Sequence, residues 1–333
     1  MMVHSFPKNL TKIKGKNILV TGADGFVGSH LVEKLVSLGV NVTAVVRRNS
    51  FGTFKNLNPV KKKIHLVWTD VQDLAKITEI TKDIDIVYHL SAQSHVGYSI
   101  YNPYETVVND VISTLNILEA SRKNDVSRVI HAGSSEIYGN PIQVPIDEKH
   151  PLSPRSPYAA AKASAESLLE SYFHTYGMPI VFSRFFNIFG PRQGLDQAIP
   201  KFILQALNNK KITIYGNGLQ SRDYTYVDDA VLAYCLLGVV KGIEGKVINF
   251  GSGTEITIKE LAKLILNLTE SKSTLFFDKK LRSGETPRLL CNSNNAYKLL
   301  KWKPKINLED GINKTIKFYQ TKKDLFENLP FMT

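Results

Sequence analysis

The stretch "VTGADGFVGSH", residues 20–30, constrains the fold more than any other. It sets Gly22, Gly25 and Gly28 as GxxGxxG between an apolar run, 17–22, and the helically spaced segment 29–39, which ends at Gly39. Glycine admits a tight turn and lets backbone approach a phosphate. The free N–H groups and dipole of the following helix then favour a pyrophosphate. A glycine triplet alone is a weak signal, and an unliganded turn is its plain alternative. Strand before and helix after are the context that predicts a dinucleotide cradle, formed by Gly22, Gly25, Phe26, Val27 and Gly28.

The pattern continues. Apolar runs at 41–46, 64–70, 84–92 and 127–135 read as strands separated by helical stretches, including 104–123. Short β-rich runs alternating with helices imply parallel βαβ units with right-handed crossovers. The expected fold is α/β: a Rossmann-type doubly wound parallel sheet with a smaller mixed α/β C-terminal part. The segment 178–190 reads as one more strand and its exit loop, and helices are expected at 258–269 and 308–320. The expected division is a dinucleotide-binding domain over 1–180 and a mainly substrate-binding domain over 181–325, with interleaved segments.

In such folds an acid commonly closes the second strand and binds the ribose 2′-hydroxyl. Here the segment is "AVVRRNS", with Arg47 and Arg48 instead. An acid would repel a 2′-phosphate, whereas arginine pairs with one through charge-assisted hydrogen bonds. NADP is therefore the expected cofactor and NAD the second choice; two solvated arginines are the plain alternative. Asp70, ending "IHLVWTD", is placed to accept from an adenine amino group, or equally to cap a helix. Val71, Leu90 and Ala92 are expected to line the same site.

"SPYAAAKASAESLLESYF" carries Tyr158 and Lys162 at i and i+4, on one face of a helix. An ammonium beside a phenol favours phenolate, and a phenol nearer neutrality can take a hydroxyl proton. Such spacing also arises on plain helix surfaces. Its weight comes from following a dinucleotide-binding half. Ser134, at the exit of the fifth strand, stands where ligands bind in open α/β sheets and can bridge substrate oxygen and tyrosine.

With these residues in place, the chain resembles the extended short-chain dehydrogenase/reductase family, whose members modify nucleotide-activated sugars. GxxGxxG, Ser134, Tyr158-xxx-Lys162, Asn109 and "SRFFNIFGPRQ" carry the likeness. "QSRDYTYVDDAV" (220–231), "NFGSG" (249–253) and "LLKWKPKINLEDGI" (299–312) extend it from about residue 16 to about 320.

The resemblance implies oxidation at sugar C4 by the Tyr–Lys pair. Glu136, in "SSEIYG" (134–139), then separates the activities. Simple 4-epimerases usually have no acid there. A 4,6-dehydratase needs a base for the C5 proton, loses water from C6 and returns hydride to C6. Glu136 is the expected base, with a structural hydrogen bond as the alternative. Thymidine-sugar dehydratases look similar but carry Asp before the Glu. Ser135 here matches the Ser-Glu of GDP-mannose 4,6-dehydratases, so Glu136 serves as base first and acid second. "VVRRNSF" and "AQSHVGYSIYNP" (92–103) look like the same enzymes. "VPIDEKHPL" (144–152) and "RLLCNSNNA" (288–296) look more like N-acetylglucosamine 4,6-dehydratases. The expectation is a nucleotide-sugar 4,6-dehydratase, GDP-mannose-like first. Rivals are a 4-epimerase, a GDP-4-keto-6-deoxymannose reductase and a UDP-glucuronate decarboxylase. The complete Ser-Tyr-Lys set argues against a non-catalytic dinucleotide sensor.

For the substrate, the resemblance implies Arg222 and Arg282 on the pyrophosphate, or else in surface salt bridges to Asp223 or Glu285. It implies Asn187 near the diphosphate, and Ser94 and His95 toward the sugar, although a lone loop histidine is more often structural. Asn109 is expected to hold active-site backbone and water. The helices around 104–123 and 158–176 pair across a two-fold axis in this family, so a homodimer is expected, with a tetramer second.

The net charge of +12 raises nucleic acid or membrane partners, but the lysines are scattered and the densest run is Lys61-Lys62-Lys63. A solvated surface and an anionic small substrate fit better, and neither nucleic acid nor membrane is expected. Two cysteines, Cys235 and Cys291, are too few for a disulfide framework. No CxxC or HExxH cluster suggests a metal. The N-terminus lacks an apolar signal core, and no run reaches ~18 apolar residues, so the expected location is the cytoplasm.

Overall fold

Seven parallel strands form the centre of the molecule: β1 (Asn17–Thr21), β2 (Asn41–Val46), β3 (His65–Trp68), β4 (Ile86–His89), β5 (Arg128–Ser134), β6 (Ile180–Phe185) and β7 (Val247–Phe250). The computed structural model describes residues 8–47, 54–280 and 284–321. The strand order is β7-β6-β5-β4-β1-β2-β3. After β3 the chain returns to the far side of β1, so the carboxyl ends of β1 and β4 flank the point where the winding reverses. A crevice opens at such a point because the flanking helices leave in opposite directions.

The sheet is buried on both faces because successive strand residues point to opposite sides. Ile18 and Val20 belong to one core and Leu19 to the other; Tyr88 and Val87 divide the same way, as do Ile130 and Val129. Helix α1 (Phe26–Ser37) and the helix Val227–Val239 cover the first face. Helices Ser113–Lys123 and α2 (Pro157–Tyr176) cover the second, through Ile117, Leu118 and Leu169. Each fully buried aliphatic side chain contributes about 1.5–3 kcal/mol to this layering.

Local chemistry explains where α2 starts and stops. Ser156 caps it, its Oγ accepting from Ala159 N at 3.1 Å, Pro157 takes the first helical position, and Gly177 ends it at φ +64°. The helical stretch expected over 104–123 is divided: Pro103–Val107, a widened π turn over Val108–Ile112, then Ser113–Lys123.

The second half builds small sheets rather than one large layer. Asn187–Phe189 pairs with Tyr224–Tyr226, Ile212–Tyr215 with Leu275–Asp278, and Ser221–Arg222 lies between Ile256–Thr257 and Arg288–Leu289. Helices Ala198–Leu207, Ile258–Leu268 and Leu308–Gln320 pack on them. This half also returns β7 to the edge of the main sheet.

Candidate active site

A cleft of about 1250 Å³ runs along the carboxyl ends of the central strands and under the C-terminal lobe. At one end lie Gly22, Gly25, Phe26, Val27 and Gly28. Gly22 has φ +63°, and a Cβ there would stand 3.0 Å from the Leu90 carbonyl and Ser91 N. A Cβ on Gly28 would stand 2.1 Å from Gly22 O. Helix α1 begins after Gly25, an N-cap with no side chain to accept a hydrogen bond, so its first N–H groups are open to a ligand. This cradle, closed by any larger side chain, fits a dinucleotide pyrophosphate. Arg47, Val71, Leu90 and Ala92 line the same end. Asp70 does not; its Oδ1 accepts from Gln72 N at 2.9 Å in a turn, and Asp73 caps the next helix. Arg48 and Arg282 lie outside the described residues.

Ser134, Ser135, Glu136, Tyr158 and Lys162 come together in the middle of the cleft. Lys162 Nζ donates to Ala132 O at 3.0 Å. Burial pushes the Tyr158 phenol well above its ordinary value, and Asp110 adds to this. A hydrogen bond with Ser134 pulls the other way, and Glu136 raises the phenol further. Burial lowers the Lys162 ammonium, with Asp110 and Glu166 opposing. The lowered phenol expected from the i,i+4 spacing is therefore not what the protein alone sets: desolvation outweighs the favourable contacts.

Glu136 sits in the tight turn Ser135–Tyr138 that follows β5, fastened by Glu136 N donating to Ser134 Oγ at 3.2 Å. Burial raises its carboxyl above the usual range; Arg222 works against this and Glu285 adds to it. Its carboxylate has no hydrogen-bond partner among the described residues. A half-buried acid with a raised pKa and no structural bond to make is a candidate proton acceptor.

Toward the C-terminal lobe the cleft is lined by Ser94, His95, Asn187 and Arg222. The Arg222 side chain is 10% exposed, with Nη1 donating to Ser221 O at 2.8 Å and Nη2 lying 3.8 Å from Glu285 Oε1. Asp223 is occupied elsewhere, accepting from Ser252 N, Gly253 N and Cys291 N. Asn187 Oδ1 is buried without a partner among the described residues, an acceptor open to a ligand donor. His95 Nδ1 accepts from Tyr98 N at 2.8 Å, capping the helix Val96–Tyr101, and Nε2 pairs with Asp196 at 2.7 Å. Both ring nitrogens are thus engaged by the protein at the cleft wall. Asn109 stands back from the lining, with Oδ1 accepting from Gln72 Nε2 at 3.1 Å.

Several groups at or behind the site escape a reading of motifs. Asp110 is buried, with Oδ1 accepting from Gln93 N at 2.7 Å and Oδ2 without a partner among the described residues. Burial raises its carboxyl, and Lys162 opposes this. Its one signal is an acid inside the otherwise uncharged run "VVNDVIST". His89 and His131 lie side by side on β4 and β5, ring centroids 5.7 Å apart. Burial lowers His89 to about 3 and His131 well below its ordinary value, so both are neutral. Gln193, Glu285 and Thr286 also line the cleft. Among the described residues, no group of three or more His, Cys, Asp or Glu is arranged to hold a metal ion, and no helix is long and apolar enough to cross a membrane.

A Rossmann-type sheet, a glycine cradle at its winding reversal and a Ser-Tyr-Lys set beside it define an extended short-chain dehydrogenase/reductase. Residues 19–315 match the model of the GDP-mannose 4,6 dehydratase family, and the chain belongs to that family of NAD-dependent nucleotide-sugar dehydratases and epimerases. The chain is 32% identical over 316 residues to the dTDP-D-glucose 4,6-dehydratase of Mus musculus, covering 92% of this chain and 89% of the relative. It is 35% identical to a putative UDP-glucose 4-epimerase of Methanocaldococcus jannaschii, covering 90% and 97%. The crystal structure of a dTDP-glucose 4,6-dehydratase from Streptomyces venezuelae with NAD bound superposes with a TM-score of 0.87 at 28% identity, covering 93% of this chain and 99% of that one.

Proposed function

We propose that the protein is a nucleotide-sugar 4,6-dehydratase that takes a GDP-mannose-like NDP-hexose to its 4-keto-6-deoxy form. Glu136 carries the reading: a half-buried carboxylate with a raised pKa, in the same cleft as Tyr158 and Lys162 and without a hydrogen-bond partner among the described residues. Tyr158 accepts the proton of the C4 hydroxyl, with Ser134 as its hydrogen-bonded bridge and Lys162 stabilising the phenolate. With C4 at the ketone level, the C5 proton becomes acidic and Glu136 removes it. The protonated Glu136 then gives that proton to the departing C6 hydroxide, releasing water. Ser135 hydrogen-bonds the leaving oxygen. The dinucleotide, when bound, would supply the hydride acceptor at C4 and its donor at C6, and would be held by Gly22, Gly25 and Gly28; as hydride returns to C6, C5 takes back one proton, equivalent to the one Tyr158 took from the C4 hydroxyl. Arg222 and Asn187 hold the diphosphate.

Arg47, at the exit of β2 and on the cleft wall, supports NADP ahead of NAD. The exposed side chains Tyr101, Tyr104, Val107 and Ile112 on the helical segments before residue 123 support a homodimer through that face.

The second reading is a 4-epimerase, favoured by the identity to the putative UDP-glucose 4-epimerase. It needs only the Tyr158–Lys162 step and leaves Glu136 without a chemical task. Mass spectrometry separates the two. Purified protein is incubated with GDP-mannose, GDP- and UDP-N-acetylglucosamine, UDP-glucuronate, UDP-glucose and dTDP-glucose, without added reductant. Loss of one water from one of them is the expected result. Unchanged mass with altered sugar stereochemistry gives the epimerase, and loss of carbon dioxide from UDP-glucuronate gives the decarboxylase.

A further inference from the structure

Behind the cleft lies a chain of buried polar side chains that the chemistry above does not use. Arg184 on β6 grips Glu166 on α2, Nε donating to Oε2 at 2.9 Å and Nη2 to Oε2 at 2.7 Å. Both side chains are under 10% exposed. Arg184 Nη1 donates to Tyr138 Oη at 2.9 Å, and its guanidinium carbon lies 5.0 Å from the centre of the Tyr138 ring. Tyr138 Oη donates to Asn249 Oδ1 on β7 at 2.7 Å. Asn249 is fixed in turn by its N donating to Glu148 Oε1 at 2.9 Å and its Nδ2 to Ile146 O at 3.2 Å.

Two members lie on the elements that carry the reacting groups. Glu166 is one helical turn beyond Lys162 and two beyond Tyr158, on the same face of α2. Tyr138 ends the turn that carries Glu136. Gly133, just before Ser134, makes room for the Glu166 carboxylate, since a Cβ there would stand 2.6 Å from Glu166 Oε1. Burying an ion pair is a poor way to gain stability, because desolvation offsets the attraction and apolar residues of the same volume serve as well. What such a chain does give is one fixed geometry. It ties the exit of β5, the turn after it and helix α2 to β6 and, beyond it, β7.

We propose that Glu166, Arg184, Tyr138 and Asn249 are positioning residues. They hold the Tyr158–Lys162 helix and the Ser134–Glu136 turn in one register, so that both proton-transfer groups address the same sugar. This rests on reading Tyr158, Lys162 and Glu136 as the reacting groups. Tyr138→Phe keeps the ring over Arg184 and removes only the hydroxyl that joins the arginine to Asn249. It is the main test, because Glu166→Gln strands a buried arginine and risks the fold.

Hydrogen–deuterium exchange on the full chain reads the coupling directly. Tyr138→Phe is expected to speed exchange about three- to tenfold, the equivalent of one net hydrogen bond, in both the Ser135–Tyr138 turn and α2 around Lys162. A change confined to the turn overturns the proposal. With whichever nucleotide sugar the wild type turns over, kcat is expected to fall about tenfold while KM stays within about twofold, the mark of misaligned reacting groups. An unchanged kcat overturns it as well. If the wild type acts on none of the sugars, the proposed function falls, and the exchange result still decides whether the clamp couples the two elements.

Discussion

Glu136→Gln separates chemistry from stability at a single atom pair. The carboxylate has no hydrogen-bond donor among the described residues, so the amide orphans nothing. Burial raises the folded-state pKa of Glu136, with Arg222 only partly opposing. The sign follows from linkage. A carboxyl harder to ionise in the folded state binds more protons there, so it penalises folding as pH rises. The penalty is absent below the ordinary value of 4.5 and complete above the folded pKa. Each unit of upward displacement is worth about 1.4 kcal/mol against folding. Gln carries no such penalty, so the variant should match or exceed wild-type stability at pH 7.5, and the gain should shrink toward pH 5. Removal of a general base should slow dehydration about 10²–10⁴-fold, or about 3–5 kcal/mol of barrier. The assays are urea unfolding at the two pH values and mass-spectrometric water loss from the nucleotide sugar. Dehydration within a few-fold of wild type refutes the base role. A clear loss of stability at pH 7.5 refutes the reasoning about a desolvated carboxylate without a hydrogen-bond partner among the described residues, and restores a structural role for Glu136.

Three further outcomes are expected. Gly28→Ala places a methyl 2.1 Å from Gly22 O, so dinucleotide binding measured by fluorescence titration should fall by more than about tenfold; unchanged affinity would mean the cradle is not the phosphate site. Arg47→Asp should shift preference from NADP toward NAD, read as the ratio of the two dissociation constants, and an unchanged ratio sinks the 2′-phosphate reading. His131 is held neutral by burial, its folded pKa below the ordinary 6.5, so the unfolded chain takes up a proton that the folded one refuses and stability declines as pH falls below about 6.5. His131→Phe should flatten the thermal midpoint against pH between 6.5 and 5, and an equally steep profile would place the acid sensitivity elsewhere.

What could be read from the chain alone was what local geometry encodes. Gly22 and Gly25 sit between β1 and α1 as expected, and Gly28 lies in the first turn of α1, which starts three residues earlier than its apolar spacing indicates. The strands expected over 127–135 and at the start of 178–190 appear as β5 and β6, one or two residues shorter. Ser156 before Pro157 and Gly177 after the helix mark its two ends, and the Tyr158 and Lys162 spacing puts both on one face of it, without any tertiary information. The π turn at Val108–Ile112 could not be read, because nothing in "VVNDVI" departs from helical spacing. Its side chains are drawn instead to partners far along the chain, Asn109 to Gln72 and Asp110 to Gln93 N.

Periodicity and capping are properties of a few neighbouring residues, so sequence by itself determined the parallel α/β class, the cradle and the Tyr–Lys helix. It placed Ser134 and Glu136 at a strand exit on the same ground. Only the tertiary structure decided the rest. Strand pairing brought His89 beside His131 and carried β7 from the second half to the edge of the sheet. Packing set Arg184 against Glu166 and Tyr138, gave His95 to Asp196, and buried Tyr158 deeply enough that desolvation overrides the expected lowering of its phenol. Contacts between residues tens of positions apart, and the dielectric they create, are fixed only when the whole chain closes on itself, so no local pattern can announce them.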